Sequence, residues 1–248
     1  MNQYKMCAFD VDGVLVDSAK AHYWSLHDAI EMVTGHSITQ HHLDPLGSLS
    51  TTQKLKLLQQ SNTIPLLSKS QFDQIVKLKF DGMATYDYML HYNKHISRIF
   101  EHLEVNGIQI YVVSNSRLAH CQQVLKQLGC HIPSMNIICN NSSLPLKPAS
   151  DMYNCAILRS GVLPSDVLIF EDSKEGLAAA IGSGANVFKV DDASHLTYEL
   201  VKDLVSGDNE MHLHQRVSKY CTTLSEQIPA GRYIHLNPGV DSGITIIP

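Results

Sequence analysis

The sequence predicts an α/β fold in which a doubly wound parallel sheet is joined to a small all-helical second domain. Apolar segments of strand length alternate with segments of helical period along most of the chain, and single helices link successive strands. Between residues 36 and 93 the pattern changes to polar, helical segments. Parallel strands require crossover connections, and crossover helices cover both faces of the sheet.

The first predicted elements are a buried strand and a helix. MCAFDV (Met6–Val11) is a short apolar run bounded by carboxylates and Gly13. Ser18 is suitably placed to cap a following helix, which we expect to end at Gly35. The apolar face of this helix is predicted to comprise Ala21, Trp24, Leu26, Ala29, Ile30 and Val33.

The region that follows is predicted to be a helical insertion. It is rich in Gln, Ser and Thr and is interrupted by Pro45 and Pro65. KLKLLQQ (Lys54–Gln60) and FDQIVKLKF (Phe72–Phe80) have helical spacing, and no segment here predicts a strand.

The alternation of strands and helices then resumes. The predicted strands are IQIYVVS (Ile108–Ser114), MNIIC (Met135–Cys139), DVLIF (Asp166–Phe170) and NVFKV (Asn186–Val190). The predicted helices are ISRIFEHLEVNG, RLAHCQQVLKQLG, SDMYNCAILRSG and KEGLAAAIGSG. In the first three of these helices the final glycine marks the predicted end.

These elements predict three parts of the chain. Residues 1–18 and 94–195 form the core domain, residues 19–93 form the helical insertion, and residues 196–248 form a C-terminal helical extension that ends in a short strand. HLTYELVKDLVSG and EMHLHQRVSKYCTTL are the helices of this extension, and GITIIP (Gly243–Pro248) is its strand. The strand either pairs with the sheet or begins a further domain fused beyond residue 248.

Composition excludes several classes of function. The chain has 248 residues, 44% hydrophobic content and a formal net charge of −5, without a block of Lys or Arg, so we expect no nucleic-acid partner. No apolar run approaches the ~20 residues that span a bilayer, and the N-terminus lacks a signal-peptide pattern. The 6 cysteines are scattered without CxxC spacing and predict reduced thiols, so we expect a cytoplasmic protein without a membrane partner.

Polar residues follow the predicted strands at their carboxyl ends. Carboxyl ends of parallel strands share one edge of a sheet, where ligands of such folds bind. The residues that we expect to meet at this edge are Asp10, Ser114, Asn115, Lys147, Glu171 and Asp172.

Neighbouring carboxylates at this edge predict a bound cation. Two carboxylates ~4 Å apart repel by ~4 kcal/mol at an effective dielectric constant of 20. A divalent cation between Asp10 and Asp172 would remove this cost, and few protein ligands with several waters suit Mg²⁺. Lys147 would offset the remaining charge and contact an anionic substrate, while Ser114 and nearby backbone N–H groups would donate to phosphate oxygens.

These motifs resemble those of a known family. DxDGVLxDS, VVSNS, an isolated LKP and FEDSKEGLAAA are similar to the four signature motifs of the haloacid dehalogenase (HAD) superfamily, in the same order, from about Lys5 to Val190. The resemblance implies a HAD-like Rossmannoid core. The helical insertion between the first two motifs resembles the cap of the subgroup with phosphoglycolate phosphatases and β-phosphoglucomutases.

The resemblance also implies roles for the acidic residues. Asp10 matches the nucleophile that forms an aspartyl-phosphate. Asp12 matches the general acid/base, with its backbone carbonyl on the metal ion. Asp172 matches a metal ligand, and Glu171 matches a neighbouring acidic position that acts through water.

The remaining candidates bind phosphate or lie in the cap. Ser114 and Lys147 match the phosphate-holding positions, and Asn115, grouped with them as a phosphate-binding candidate, is expected to position the nearby loop. His22 matches a hinge histidine of β-phosphoglucomutase-like members. Thr51 and Lys54, in the cap segment LGSLSTTQKL, are candidates to face the substrate.

Asp12 favours phosphoryl transfer over dehalogenation, because an alkoxide leaving group needs a proton and a halide does not. We therefore expect a Mg²⁺-dependent phosphatase that acts on a small-molecule phosphate ester, with a sugar phosphate as the favoured class. A phosphosugar mutase of the β-phosphoglucomutase type is an alternative, although LGSLSTTQKL lacks the arginine of such mutases. A non-catalytic HAD-fold binding module is the other alternative.

Overall fold

The structure is a computed structural model that describes residues 3–47, 49–140 and 143–206, and the backbone of two further strands at 234–236 and 244–246. The chain divides into two compact units. Residues 1–16 and 92–248 form the first unit, and residues 17–91 form the second.

The strands of both units are short, and most lie in one sheet. They are β1 (Met6–Phe9), β2 (Val16–Asp17), β3 (His91–Tyr92), β4 (Gln109–Val113), β5 (Ile137–Ile138), β6 (Val167–Glu171), β7 (Asn186–Lys189), β8 (Ile234–Leu236) and β9 (Ile244–Ile246). The order in the main sheet is β5-β4-β1-β6-β7-β8-β9, and β2 pairs with β3 separately.

The helices alternate with the strands in the first unit and form most of the second. They are α1 (Ala19–Thr34), α2 (Gln40–Leu43), α3 (Thr51–Gln60), α4 (Lys69–Gly82), α5 (Ile96–Val105), α6 (Leu118–Gln127), α7 (Asp151–Ser160), α8 (Lys174–Gly182) and α9 (Tyr198–Val205). Short 3-10 turns lie at Asp44–Leu46, Met83–Met89, Ser134–Asn136 and Pro164–Asp166.

The strands β5, β4, β1, β6 and β7 run parallel, which confirms the predicted α/β fold. Every residue of β1 and β6 is buried, because helices cover both faces of the sheet. On one face, strand residues pack with α7 and α8 in a single apolar cluster. On the other face, the ring of Phe9 stacks on Phe170 at 4.7 Å and contacts Phe100 of α5 at 5.0 Å.

The second unit is stabilised by its own apolar cluster. Leu26 and Ile30 of α1 pack with Leu55 of α3 and Ile75 of α4, and each is at most 2% exposed. Capping boxes begin α3 and α4, since Ser50 and Ser68 each exchange hydrogen bonds with the glutamine three residues later. The helical spacing in the sequence begins at Lys54, whereas α3 begins at Thr51, because the first turn of α3 contains no apolar residue.

Three local expectations need correction. The helix α1 begins after Ser18 and ends at Gly35 as predicted, but the Ser18 side chain makes no capping hydrogen bond. Asp17 instead accepts from the backbone N–H of Ala19. Trp24 is 39% exposed and does not belong to the core. The two-residue strand β3 was not predicted, because two residues leave no detectable period.

The structure describes only part of the predicted C-terminal extension. The helix α9 matches the predicted HLTYELVKDLVSG segment. The predicted helix EMHLHQRVSKYCTTL lies outside the described residues. The strand β9 falls within GITIIP and pairs antiparallel with β8, which itself pairs parallel with β7. A further domain beyond residue 248 stays a prediction.

Phe9→Ala should lower the free energy of unfolding by about 3–5 kcal/mol, because it leaves a cavity between Phe170 and Phe100. Urea unfolding followed by circular dichroism measures the change. Val105→Ala is the control, since Val105 is 81% exposed and its truncation should cost no more than about 0.5 kcal/mol. Equal unfolding midpoints for the two variants would contradict the packing described here.

Candidate active site

The carboxyl ends of three adjacent strands bring polar residues together. Asp10 follows β1, Ser114 follows β4 and Asp172 follows Glu171, the last residue of β6. Because β1 lies between β4 and β6 and Phe9 pairs with both neighbours, Asp10 is central in this group. The parallel register therefore places these residues side by side at one edge of the sheet.

Lys147 reaches this edge from the loop after β5, and its side chain is only 3% exposed. Its Nζ donates to Asp10 Oδ1 at 2.8 Å, to the carbonyl oxygen of Val113 at 2.8 Å and to Glu171 Oε1. The backbone of Lys147 is held by the amide of Asn115, which accepts from its N–H at 2.9 Å and donates to its carbonyl at 3.1 Å. Asn115 thus fixes the loop that delivers the lysine.

Glu171 is fully buried and has a donor at each carboxylate oxygen. Besides Lys147, the hydroxyl of Tyr153 donates to Oε1 at 2.8 Å. The backbone N–H of Asp172 and the hydroxyl of Ser173 donate to Oε2, at 3.1 Å and 3.3 Å. These contacts make Glu171 the group that orients Lys147, and its oxygens are already engaged by protein donors.

Asp172 differs from Glu171, because its buried Oδ1 has no hydrogen-bond partner among the described residues. Carboxylate oxygens of Asp10, Glu171 and Asp172 lie within 4.8 Å of one another. A buried polar atom without a partner is costly, and a carboxylate oxygen in such a position suits a cation. Asp10 and Asp172 therefore fit a divalent metal ion as side-chain ligands.

The loop after β1 approaches Asp172 closely at Gly13. This residue has a φ of +85°, and a Cβ atom at this position would overlap Oδ2 of Asp172. Only glycine permits both this backbone conformation and this approach. The DxDG motif is thus connected to the FEDS motif by direct contact.

The electrostatics of the site favour an added positive charge. Burial raises the pKa of Asp10 to about 7, although Lys147 opposes the shift, and Glu171 and Asp12 add to it. Burial and repulsion from Glu171 and Asp10 raise the pKa of Asp172 to about 8. Burial acts to lower the pKa of Lys147, but Asp10 and Glu171 outweigh it and raise this pKa. The lysine is therefore charged and faces more negative charge than it can balance alone.

The carboxylate of Asp12 contacts residues other than those that surround Lys147. Its Oδ2 accepts from the hydroxyl of Ser116 at 2.6 Å, and its Oδ1 lies 2.9 Å from Nε2 of His120. The backbone N–H of Ser116 donates to Ser114 Oγ at 3.1 Å. The hydroxyl proton of Ser114 is therefore available to another acceptor.

The candidates from the helical insertion all lie in the second unit. His22, on α1, is half-buried, and its Nδ1 lies 2.8 Å from Nζ of the buried Lys79 on α4. Thr51 and Lys54 lie in the first turns of α3 and are half-buried. Their predicted roles toward a substrate stay predictions.

Sequence reasoning missed the partners that hold the acidic groups. Tyr153, Ser173, Ser116 and His120 each contact a carboxylate of the site. Ser173 lies within the FEDS segment and could have been noticed there. His120 is 108 residues from Asp12, so no local pattern connects them.

No helix in the described part of the chain is long and apolar enough to cross a membrane.

The chain matches known proteins over most of its length. A family model for haloacid dehalogenase-like hydrolases matches residues 7–190. The chain is 22% identical over 207 residues to "Protein CbbY" of Rhodobacter capsulatus, covering 75% of this chain and 84% of that protein.

Two solved structures are similar in fold. One is a predicted phosphoglycolate phosphatase from Haemophilus somnus 129PT, with a TM-score of 0.66, 20% identity and coverage of 82% of this chain and 92% of that one. The other is a β-phosphoglucomutase from Clostridium difficile, with a TM-score of 0.66, 19% identity and coverage of 81% and 96%.

Metal-free Asp172→Asn should unfold at a higher temperature than the metal-free wild type. Because the folded protein raises the pKa of Asp172 to about 8, folding at neutral pH must either bury this charge or take up a proton, and the neutral amide requires neither. Thermal unfolding in EDTA measures this difference, and each kcal/mol corresponds to about 2–4 °C. Magnesium should raise the midpoint of the wild type but not that of the variant. An equal gain with magnesium in both proteins would remove Asp172 from the metal site.

Gly13→Ala should weaken magnesium binding, because the new methyl group displaces the carboxylate of Asp172. Gly107→Ala is a matched control, since Gly107 also has a positive φ of +71° but nothing lies within 4 Å of the position that its Cβ would take. Both variants carry the same backbone strain. Calorimetric titration with magnesium should show a weakened site only in Gly13→Ala, and equal affinities in the two variants would contradict the close approach.

Proposed function

We propose, on the premise that this chain belongs to the haloacid dehalogenase-like hydrolase family, that it is a phosphatase of small phosphorylated metabolites. The observation that carries the proposal is the buried contact of Lys147 with Asp10, beside Oδ1 of Asp172, which has no hydrogen-bond partner in the described part of the chain. This arrangement presents one carboxylate, one fixed cation and a candidate metal position to an incoming phosphoryl group.

Asp10 would be the nucleophile. Lys147 holds Oδ1, which leaves Oδ2 to attack phosphorus. The new Oδ2–P bond would form as the bond from phosphorus to the ester oxygen breaks, giving an aspartyl-phosphate and an alcohol. Lys147 would also attract the phosphoryl oxygens, and the hydroxyl of Ser114 would donate to one of them.

Asp12 would move the protons of both steps. It would protonate the leaving ester oxygen in the first step and accept a proton from water in the second. Attack of that water on phosphorus would break the bond to Asp10, release inorganic phosphate, restore Asp10 as a carboxylate and leave Asp12 protonated for the next turnover. The half-buried position of Asp12, 23% exposed at its side chain, leaves it open to a substrate.

The cofactor that we propose is Mg²⁺, held by the side chains of Asp10 and Asp172 and by the backbone carbonyl of Asp12. When bound, the cation would neutralise the carboxylates and polarise the phosphoryl group. Oxygen-only ligands favour a hard cation of this kind. Glu171 would support the site through its contacts with Lys147 and Asp172.

The substrate class that we propose is a sugar phosphate or a related small phosphate ester. Two structural relatives, a predicted phosphoglycolate phosphatase and a β-phosphoglucomutase, are named for small phosphorylated metabolites. His22, Thr51 and Lys54 of the second unit are candidates to contact the leaving group. We place the activity in the cytoplasm, which agrees with the free cysteines of the described residues.

A phosphosugar mutase is the second candidate function. The similarity of fold to a β-phosphoglucomutase and the hinge-type histidine His22 favour it. The lack of arginine in LGSLSTTQKL favours hydrolysis. Incubation with a sugar 1-phosphate and Mg²⁺ separates the two, because a phosphatase releases inorganic phosphate and a mutase yields an isomeric sugar phosphate without it.

The experiment that tests the proposal is a phosphate-release screen over many phosphate esters with Mg²⁺ and with EDTA. We expect release that requires the metal. Failure to release phosphate from any ester would favour the non-catalytic binding module over the phosphatase.

Asp10→Asn should abolish phosphate release, on the order of a thousandfold or more, because an amide cannot attack phosphorus. The amide is nearly isosteric with the carboxylate, so circular dichroism should report an unchanged fold. Asp151→Asn, at the exposed first residue of α7, is the matched control and should keep full activity. Substantial turnover by Asp10→Asn would exclude Asp10 as the nucleophile.

A further inference from the structure

Both carboxylate oxygens of Asp12 are held by one short segment of the chain. Ser116 binds Oδ2 from the turn after β4, and His120 binds Oδ1 from the first turn of α6. The two donors are four residues apart, on either side of Arg117, the N-cap residue of α6. Asp12 is thus bound at both ends of its carboxylate by groups outside the metal candidates.

The helix that carries His120 is itself firmly packed. Cys121, Val124 and Leu125 of α6 are buried, and the side chain of His120 is only 17% exposed. An ionised carboxylate can only accept, so Nε2 of His120 carries the proton of this contact whenever Asp12 is ionised. The imidazole therefore presents a fixed donor to Asp12.

These contacts restrict the orientation of the Asp12 carboxyl group but do not prevent it from transferring a proton. A carboxylate has about four acceptor positions, so the hydrogen bonds from Ser116 and His120 do not by themselves prevent Asp12 from carrying a proton. Two donors on different oxygens fix the plane of the carboxylate, which a single donor does not. Proton transfer depends on such alignment, since a displacement of about 1 Å can cost a hundredfold in rate.

We propose that His120 is a positioning residue that orients Asp12 for proton transfer to the leaving oxygen. This inference rests on the proposed function, in which Asp12 is the general acid. It assigns to α6 a role that the four sequence motifs do not contain. It also predicts that His120 matters most for substrates whose leaving group needs a proton.

The test compares two phosphate esters with different leaving groups. An alkyl phosphate releases an alkoxide that must be protonated, whereas 4-nitrophenyl phosphate releases a stable phenolate. The ratio kcat/KM reports the steps up to departure of the leaving group, so it isolates the proton donation by Asp12. We expect His120→Ala to lose about 10–100-fold in kcat/KM with the alkyl phosphate and less than about threefold with 4-nitrophenyl phosphate.

Further variants separate positioning from a structural role. His120→Gln, whose amide N–H can reach the same oxygen, should regain most of the loss. Asp12→Asn should show the same dependence on the leaving group, and the exposed His131→Ala should behave as the wild type with both esters. Should His120→Ala fail to fold, His120→Leu provides the same comparison, because it fills the volume of the ring without a donor.

The outcomes distinguish this inference from the proposed function. An active wild type with equal losses for both esters in His120→Ala, or with no loss or a gain in rate, would overturn the positioning role alone. A gain would show that His120 holds Asp12 away from the substrate. A wild type that releases no phosphate from either ester would overturn the phosphatase and the positioning role together.

Discussion

The buried ion pairs of Lys147 with Asp10 and Glu171 are the interaction on which the rest of the site depends. The lysine comes from a loop, so its place must be imposed by other groups, and Asn115 binds its backbone while Val113 accepts from its ammonium group. Glu171 fixes the other side and is in turn held by Tyr153. Removing one member of such a buried network leaves its partner uncompensated, which costs several kcal/mol. The same network orients the carboxylate of Asp10, the proposed nucleophile.

The carboxylates of the site carry more negative charge than Lys147 balances. Lys147 pairs with Asp10 and Glu171, and oxygens of these two carboxylates and of Asp172 lie within 4.8 Å of one another. The Oδ1 atom of Asp172 has no donor among the described residues. Folding therefore brings together charges that repel, and the proposed cation would relieve this repulsion. Such a cation would couple stability to function, because it would stabilise the fold and complete the proposed catalytic site. Gly13 belongs to this constraint, since any larger residue would displace Asp172.

Much of the fold follows from patterns within the sequence. The strands β1, β4, β6 and β7 are apolar runs between turn signals, and their parallel order places Asp10 and Asp172 at one edge. Elements without a period, such as the two-residue strands β2 and β3, could not be predicted. Trp24 was assigned to a core from helical spacing alone, but spacing does not distinguish a buried position from one at the margin of the face. The contact of His120 with Asp12 depends on how α6 packs, which local sequence does not encode.

We propose that Asp10 carries the phosphoryl group while a cation lies against Asp10 and Asp172. A crystal structure grown with magnesium and beryllium fluoride, a mimic of the phosphoryl group, tests both assignments at once. We expect the beryllium to be bonded to a carboxylate oxygen of Asp10, with Lys147 beside it and magnesium in contact with Asp172. Magnesium bound elsewhere, for example near His27, Asp28 and Glu31 of the second unit, with an unmodified Asp10, would contradict it.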